Sequence, residues 1–256
     1  MDKGTAIGVG GGMVVIVTAN VLEGGNPAAL LLPAPLLLVF GTTILVSVAG
    51  GTMADAKASA KALKRAFLGS VEPAGEVVPT VVRLADRARR EGLLALEDAM
   101  KDVDDEFLVK GVTLAIDGTD PDEVRDILEG EVIAKSKSDK RAAKFFTDCG
   151  AYAPTIGIIG TVMGLVHVLE NLAQPEELGQ LIAAAFIATL WGVLSANVMW
   201  LPIGSKLKRL SEIEISRMEI IIEGVAAIQS GANPRVVQHR LSSLLPAEQR
   251  AVAEAA

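Results

Sequence analysis

FFTDCGAYAPTIGIIGTVMGLVHVLENLAQPEELGQLIAAAFIATLWGVLSANVMWLPIGS, residues 145–205, contains no lysine and no arginine. Its two apolar runs, about 151–172 and 181–200, each supply the ~20 mainly apolar residues that a helix needs to cross a bilayer. Between them Gln174, Pro175, Glu176 and Glu177 form a polar reverse turn. The stretch reads as a membrane hairpin.

A second cation-free stretch lies between Lys3 and Lys57 and repeats the design. Thr5–Leu22 is one run, 23–27 is a short turn, and the next run extends over about 28–50. Pro33 and Pro35 fall in its first turns, where the backbone N–H groups have no internal partner and proline is tolerated. Lys3 ahead of an apolar run suggests a leader, but the run is longer than a usual leader core and no A-x-A-like site follows. The reading is a retained first helix.

The basic residues flank these stretches. Lys57, Lys61, Lys64 and Arg65 follow the second run; Lys135, Lys137, Lys140, Arg141 and Lys144 precede the third; Lys206, Lys208 and Arg209 follow the fourth. The turns inside the hairpins carry only acids, Glu23 in one and Glu170, Glu176 and Glu177 in the other. Lysine and arginine collect on the cytoplasmic side, so both termini and the middle segment are expected there. Tyr152 and Trp200 would sit at that boundary as an aromatic belt.

The expected fold is an all-α integral membrane protein with four spans in two hairpins. The divisions are a first hairpin over 1–51, a helical cytoplasmic domain over 52–147, a second hairpin over 148–202 and cytoplasmic C-terminal helices over 203–256. Asp120 is a suitable N-cap with Pro121 at the first helical position and Glu123 at the third. From there a helix is expected to run through Phe145 and Phe146 into the third span. After the fourth span, Ile203, Leu207, Leu210, Met218, Ile221, Val225 and Ile228 recur at helical steps, with Gly231 as the stop.

Composition narrows the function. The chain is 256 residues long, 50% hydrophobic but only 4% aromatic, and carries a formal charge of -7. Small apolar residues with few aromatics suit helices packed tightly in lipid, and the acidic balance argues against nucleic acid. Cys149, the single cysteine, excludes an intrachain disulfide and reads as a buried bystander. Gly8, Gly10, Gly11 and Gly12 complete no phosphate-binding motif. No Ser/His/Asp, Cys/His or metal-spaced cluster stands out, so neither an enzyme nor a metal or cofactor is expected.

The span interiors contain no charged residue. Ion-moving proteins ordinarily carry an intramembrane carboxylate, so any such group must come from a partner. What remains inside is small and mildly polar. Gly157, Gly160 and Gly164 line one face of the third span beside Thr161 and His167. Glycines at this spacing let another helix approach, whether one of the chain's own or a partner's. Thr189, in the fourth span, can bond its own i−4 carbonyl. A lone histidine such as His167 is more often a packing residue than a ligand. Pro154 and Pro202 mark the cytoplasmic ends of the third and fourth spans, as helix punctuation or as hinges. In the cytoplasmic segment Arg83, Arg87, Arg89 and Arg90 precede a run of acids that includes Glu97. Such a run is usually a solvated face, though charges segregated this way can also steer a partner.

Three stretches carry a family resemblance. YAPTIGIIGTVMGLVH (152–167) and ATLWGVLSANVMWLP (188–202), the latter followed by KLK (206–208), resemble the third and fourth spans of flagellar motor stator A subunits, the MotA/PomA family. ARREGLLALE (88–97) is similar to their cytoplasmic signature. The resemblance implies a pentameric ring around a dimer of a single-span B subunit of the MotB/PomB kind, whose intramembrane aspartate binds the ion. It also implies that the ring pushes the rotor switch protein FliG. By position, Pro154 and Pro202 match prolines tied to gating and torque, Thr189 the threonine facing the aspartate, and Arg89 (or its neighbour Arg90) and Glu97 the charges that engage the rotor. Thr161 is threonine in sodium-driven relatives and alanine in many proton-driven ones, which tilts the ion from H+ towards Na+. The TolQ/ExbB energy-transducing subunits are the alternative; they resemble a three-span layout that the first hairpin does not match. A stand-alone channel is disfavoured by the missing carboxylate.

Overall fold

The structure, a computed structural model, describes residues 4–254, with side chains to residue 250. In chain order its main helices are α1 (Gly4–Leu22), α2 (Pro33–Ala49), α3 (Met53–Leu68), α4 (Val78–Glu91), α5 (Glu106–Ile116), α6 (Pro121–Glu170), α7 (Pro175–Gln229), α8 (Pro234–Ser243) and α9 (Ala247–Glu254). Among the described residues there is no strand. The chain divides into two compact units, residues 1–70 with 139–209 and residues 71–138 with 210–256.

The first unit wears its apolar residues outside. Leu22 is 83% exposed, Leu37 76%, Leu45 69%, Leu169 66% and Phe186 62%. A contiguous surface of this kind would be costly in water and belongs in lipid. Helices α1, α6 and α7 are long and apolar enough to cross a membrane, while α2 is a shorter apolar helix. The run expected over 28–50 is thus helical as α2 only from Pro33. The cause is local: the residue before a proline is driven out of the α region, and Leu32 is extended at φ −80°, ψ 125°. Residues Pro27–Leu30 form a separate 3-10 turn whose Ala28 N–H is held by the Asn26 side chain at 3.0 Å.

Inside this unit Ala66, Ala143, Phe146, Cys149, Ala153, Ala196, Ile203 and Leu207 pack around Trp200. Phe40 lies 5.8 Å from Trp191 and 6.3 Å from Trp200, centroid to centroid. Trp200, expected at the cytoplasmic boundary, is buried with its ring stacked on Phe146, so it faces protein rather than lipid. Helix α3 starts at a reciprocal cap, in which the Asp55 N–H donates to the Thr52 hydroxyl and the Thr52 N–H to the Asp55 carboxylate. The Thr52 hydroxyl also donates to the Asp55 carboxylate at 2.7 Å, and this bond, helped by the one from the Thr52 backbone N–H, holds the Asp55 carboxyl below the ordinary carboxylate range.

The second unit has a conventional apolar core. Val78, Val81, Leu96, Leu108, Val112, Leu128, Ile221, Ile228 and Leu241 are essentially inaccessible and form one cluster. The middle and C-terminal segments, read separately from sequence, therefore share one interior. Emptying such a position by Leu→Ala costs about 2–5 kcal/mol. Asp120 caps α6 by accepting from the Asp122 N–H at 3.0 Å. At the end of α7, Gly231 takes φ +62° and the Ala232 N–H reaches back to the Ala227 carbonyl at 3.1 Å. This is the stop expected from the sequence. Arg217, half-buried, pairs with Glu72 at 2.8 Å and Asp105 at 2.9 Å. Asp105 also caps α5 through the Phe107 and Leu108 N–H groups.

Candidate functional site: a hydroxyl pair at a glycine crossing, and a charged turn

Helices α6 and α7 cross backbone to backbone. A Cβ on Gly157 would stand 2.9 Å from the Ala188 carbonyl oxygen, and one on Gly192 would stand 2.7 Å from that of Ala153. On Gly160 it would meet the Ala188 Cβ at 2.6 Å, and on Gly164 the Ala185 Cβ at 2.6 Å. The close approach these glycines permit is thus occupied by the chain's own α7. Gly192 was not singled out from the sequence, although Ala185, Ala188 and Gly192 recur at three- to four-residue steps and announce a small-residue face.

The crossing brings Thr161 and Thr189 together, and their hydroxyls hydrogen-bond each other. The bonding is crosswise. Thr161 Oγ1 lies 3.2 Å from its own i−4 carbonyl, Gly157, and 3.1 Å from the Ala185 carbonyl on the other helix. Thr189 Oγ1 donates to Gly157 O at 3.2 Å. The local bond available to Thr189, to Ala185, is therefore replaced by bonds between helices. Four oxygens share two hydroxyl protons, which leaves lone pairs over. Such a cluster is neutral, yet it can donate to a carboxylate or offer oxygens to a hard cation.

Pro154 and Pro202 both lie inside continuous helices, half-buried. Each lacks an N–H and pushes against the carbonyl four residues earlier. Around Pro202 the accommodation is visible, since Ser195–Trp200 is wound as a π segment. Its wider turn relieves the ladder, and such bulges often sit where helices bend or work. Asn197 and Pro202 face Gly4, Thr5 and Gly8 of α1 across a groove in the same unit. Trp191 donates its indole N–H to the Leu30 carbonyl at 2.7 Å, tying the 3-10 turn to α7. His167 is exposed with its ring 3.4 Å from Glu170. Cys149 is buried against the Ser47 hydroxyl at 3.2 Å. Among the described residues no group of three or more His, Cys, Asp or Glu side chains is placed to hold a metal ion.

The second unit carries the charged turn. Arg89 and Arg90 occupy the exposed last turn of α4, where cations suit the helix C-terminus. Arg90 bonds Asp86, with Nε 3.1 Å from Oδ1, and Arg87 bonds Glu91 at 3.2 Å. These exposed i,i+4 pairs are worth about 0.3–0.5 kcal/mol each and are easily exchanged for a partner's charges. Asp98 is committed to Lys101 at 2.8 Å, which holds its carboxyl below the ordinary value. Arg89 and Glu97 are exposed and form no salt bridge among the described residues. Between them Gly92 turns the chain at φ +85°, ψ 165°, a conformation essentially reserved to glycine.

A helical chain with an apolar outer surface and uncharged span segments in one unit, and an apolar core with surface salt bridges in the other, is a membrane protein that also carries a water-facing part. The description "MotA/TolQ/ExbB proton channel family" matches residues 99–220. The chain is 38% identical over 251 residues to motility protein A of Bacillus subtilis, covering 98% of this chain and 93% of that one. It is 33% identical over 252 residues to the chemotaxis protein PomA of Vibrio alginolyticus, covering 98% of each. The solved flagellar MotAB stator complex from Bacillus subtilis contains a chain that superposes with a TM-score of 0.89 at 37% identity, over 97% of this chain and 98% of that one. The chain belongs to this family, in its motility protein A/PomA branch.

Proposed function

We infer that the chain is the ion-conducting stator subunit of a bacterial flagellar motor, coupling ion flow to torque. The observation that carries this reading is the Thr161–Thr189 hydroxyl pair, held at a glycine crossing in two segments, 151–169 and 178–205, that contain no charged residue. The site is equipped to meet a carboxylate or an ion, and the segments that form it carry no carboxylate of their own. The missing group is supplied by a B subunit of the MotB/PomB kind, whose single span carries an aspartate against this face. The relative from Bacillus subtilis was solved as a complex of the two subunit types, which supports the pairing.

Four spans follow from the same reading. Helices α1, α6 and α7 cross the inner membrane, and α2 crosses with the help of the 3-10 turn before it, leaving both termini cytoplasmic. The divisions are the hairpins 1–51 and 148–202, with 52–147 and 203–256 in the cytoplasm. Several copies, five in the family pattern, ring the B dimer. Pro154 and Pro202 transmit the event at the threonines along α6 and α7, and Gly157, Gly160 and Gly164 keep the wall thin. Arg89, Arg90 and Glu97 press on the rotor switch protein FliG. Sodium is the favoured ion, because the crossing offers four oxygens and no base. The chain is not an enzyme and needs no cofactor.

The test is complementation. In a motile bacterium lacking its own stator, this chain with its cognate B subunit restores swimming. Restored swimming that persists when the B subunit's intramembrane aspartate is replaced by asparagine would overturn the reading.

A further inference from the structure

The turn that follows α4 has an unusual distribution of leucines. Leu93 packs partly on the core of its unit, Leu96 is 0% exposed and Met100 8%. Leu94 between them is 73% exposed, more than any other large apolar residue described in that unit. A single exposed leucine needs no explanation by itself. This one stands on a 3-10 turn, Leu93–Ala95, closed by an Ala95 N–H to Gly92 carbonyl bond of 3.2 Å and pinned to the core at both ends. Its position is therefore fixed, and little rotational freedom is lost when a partner covers it. The exposed Arg89 lies before it in sequence and the exposed Glu97 after it, neither in a salt bridge among the described residues. An apolar centre between exposed charges of opposite sign is how a specific contact is built: the centre is desolvated, and the charges fix direction and register.

We propose that Leu94 is the apolar anchor of the contact with the rotor, seated in a socket that presents an acid towards Arg89 and a base towards Glu97. The assignment rests on the rotor reading given above and adds to it the group that supplies affinity. Charges alone contribute little at an exposed rim, whereas a buried anchor dominates the energy of a small interface. Without such an anchor the turn would slide over any charged surface; with it, each step of the rotor meets a defined seat.

The experiment uses the full chain with its B subunit in cells. Leu94→Asp should lower swimming by about tenfold or more at unchanged membrane level, while Leu94→Met should swim nearly as the parent does. A photoreactive benzoylphenylalanine in place of Leu94 should crosslink to the rotor switch protein, and one in place of Val236, 60% exposed in the same unit, should not. Normal swimming of Leu94→Asp, or an adduct with a second copy of this chain, overturns the proposal. Arg89→Glu and Glu97→Lys separate the two levels. If they impair swimming and Leu94→Asp does not, the anchor alone falls; if all three are silent, the rotor reading falls with it.

Discussion

Thr189 and Thr161 are threonines in a place where valine would pack as well. The bonds they make between helices are each worth about 0.6 kcal/mol in a membrane, rarely above about 1.7, so they contribute little to holding the fold. Thr189→Val should leave the protein level and its melting nearly unchanged while abolishing swimming, and Thr189→Ser should preserve both. A valine variant that swims normally sinks the hydroxyl's functional role. The glycines behave oppositely. Gly157→Ala and Gly192→Ala put a methyl group 2.9 and 2.7 Å from backbone oxygens that cannot swing away. Each should lower the stability of the purified complex by about 1–3 kcal/mol. Gly130→Ala, exposed on the same α6 with nothing within 4 Å, should be neutral or stabilising by up to about 1 kcal/mol. Equal thermal midpoints for all three would contradict the tight crossing.

Elements are where sequence and structure parted. The two long helices were legible because apolar period, cap and stop agreed: Asp120 and Pro121 begin α6, and Gly231 ends α7. Helix α2 was legible only in type, since the effect of Pro33 on Leu32 moved its start by a few residues. The inward facing of Trp200 was not legible, because hydropathy does not reveal which face of a helix meets protein and which meets lipid. The π segment Ser195–Trp200 had no sequence signal beyond the proline that follows it. The Arg217–Asp105 pair joins distant parts of the chain and could not be read from spacing. At the element scale, Pro202→Ala restores a helical N–H and removes the reason for the wide turn. It should leave membrane assembly intact and reduce swimming severely; unimpaired swimming would refute the hinge. Gly92→Ala meets no neighbour but cannot hold φ +85°, ψ 165°. It should cost about 1–3 kcal/mol from backbone strain alone and weaken rotor engagement through the displaced turn.

Across the whole molecule, chemistry is divided by solvent. The first unit gives lipid an apolar surface and holds hydroxyls at a close helix crossing; the second has an apolar core and carries charges on an exposed turn. Two lysine- and arginine-free stretches made that division readable before any coordinates, and the site was readable in part. The threonines and prolines stood out by their place in uncharged spans, whereas their mutual contact and the help of Gly192 needed three dimensions. The central claim is that this chain is a housing for a carboxylate it does not own. Ion flux into liposomes, driven by an imposed potential, tests it most directly. The purified chain alone should conduct no Na+ or H+ above the background of empty liposomes, and the complex with its B subunit, freed of any plug, should conduct. Conduction by the chain alone would contradict the account.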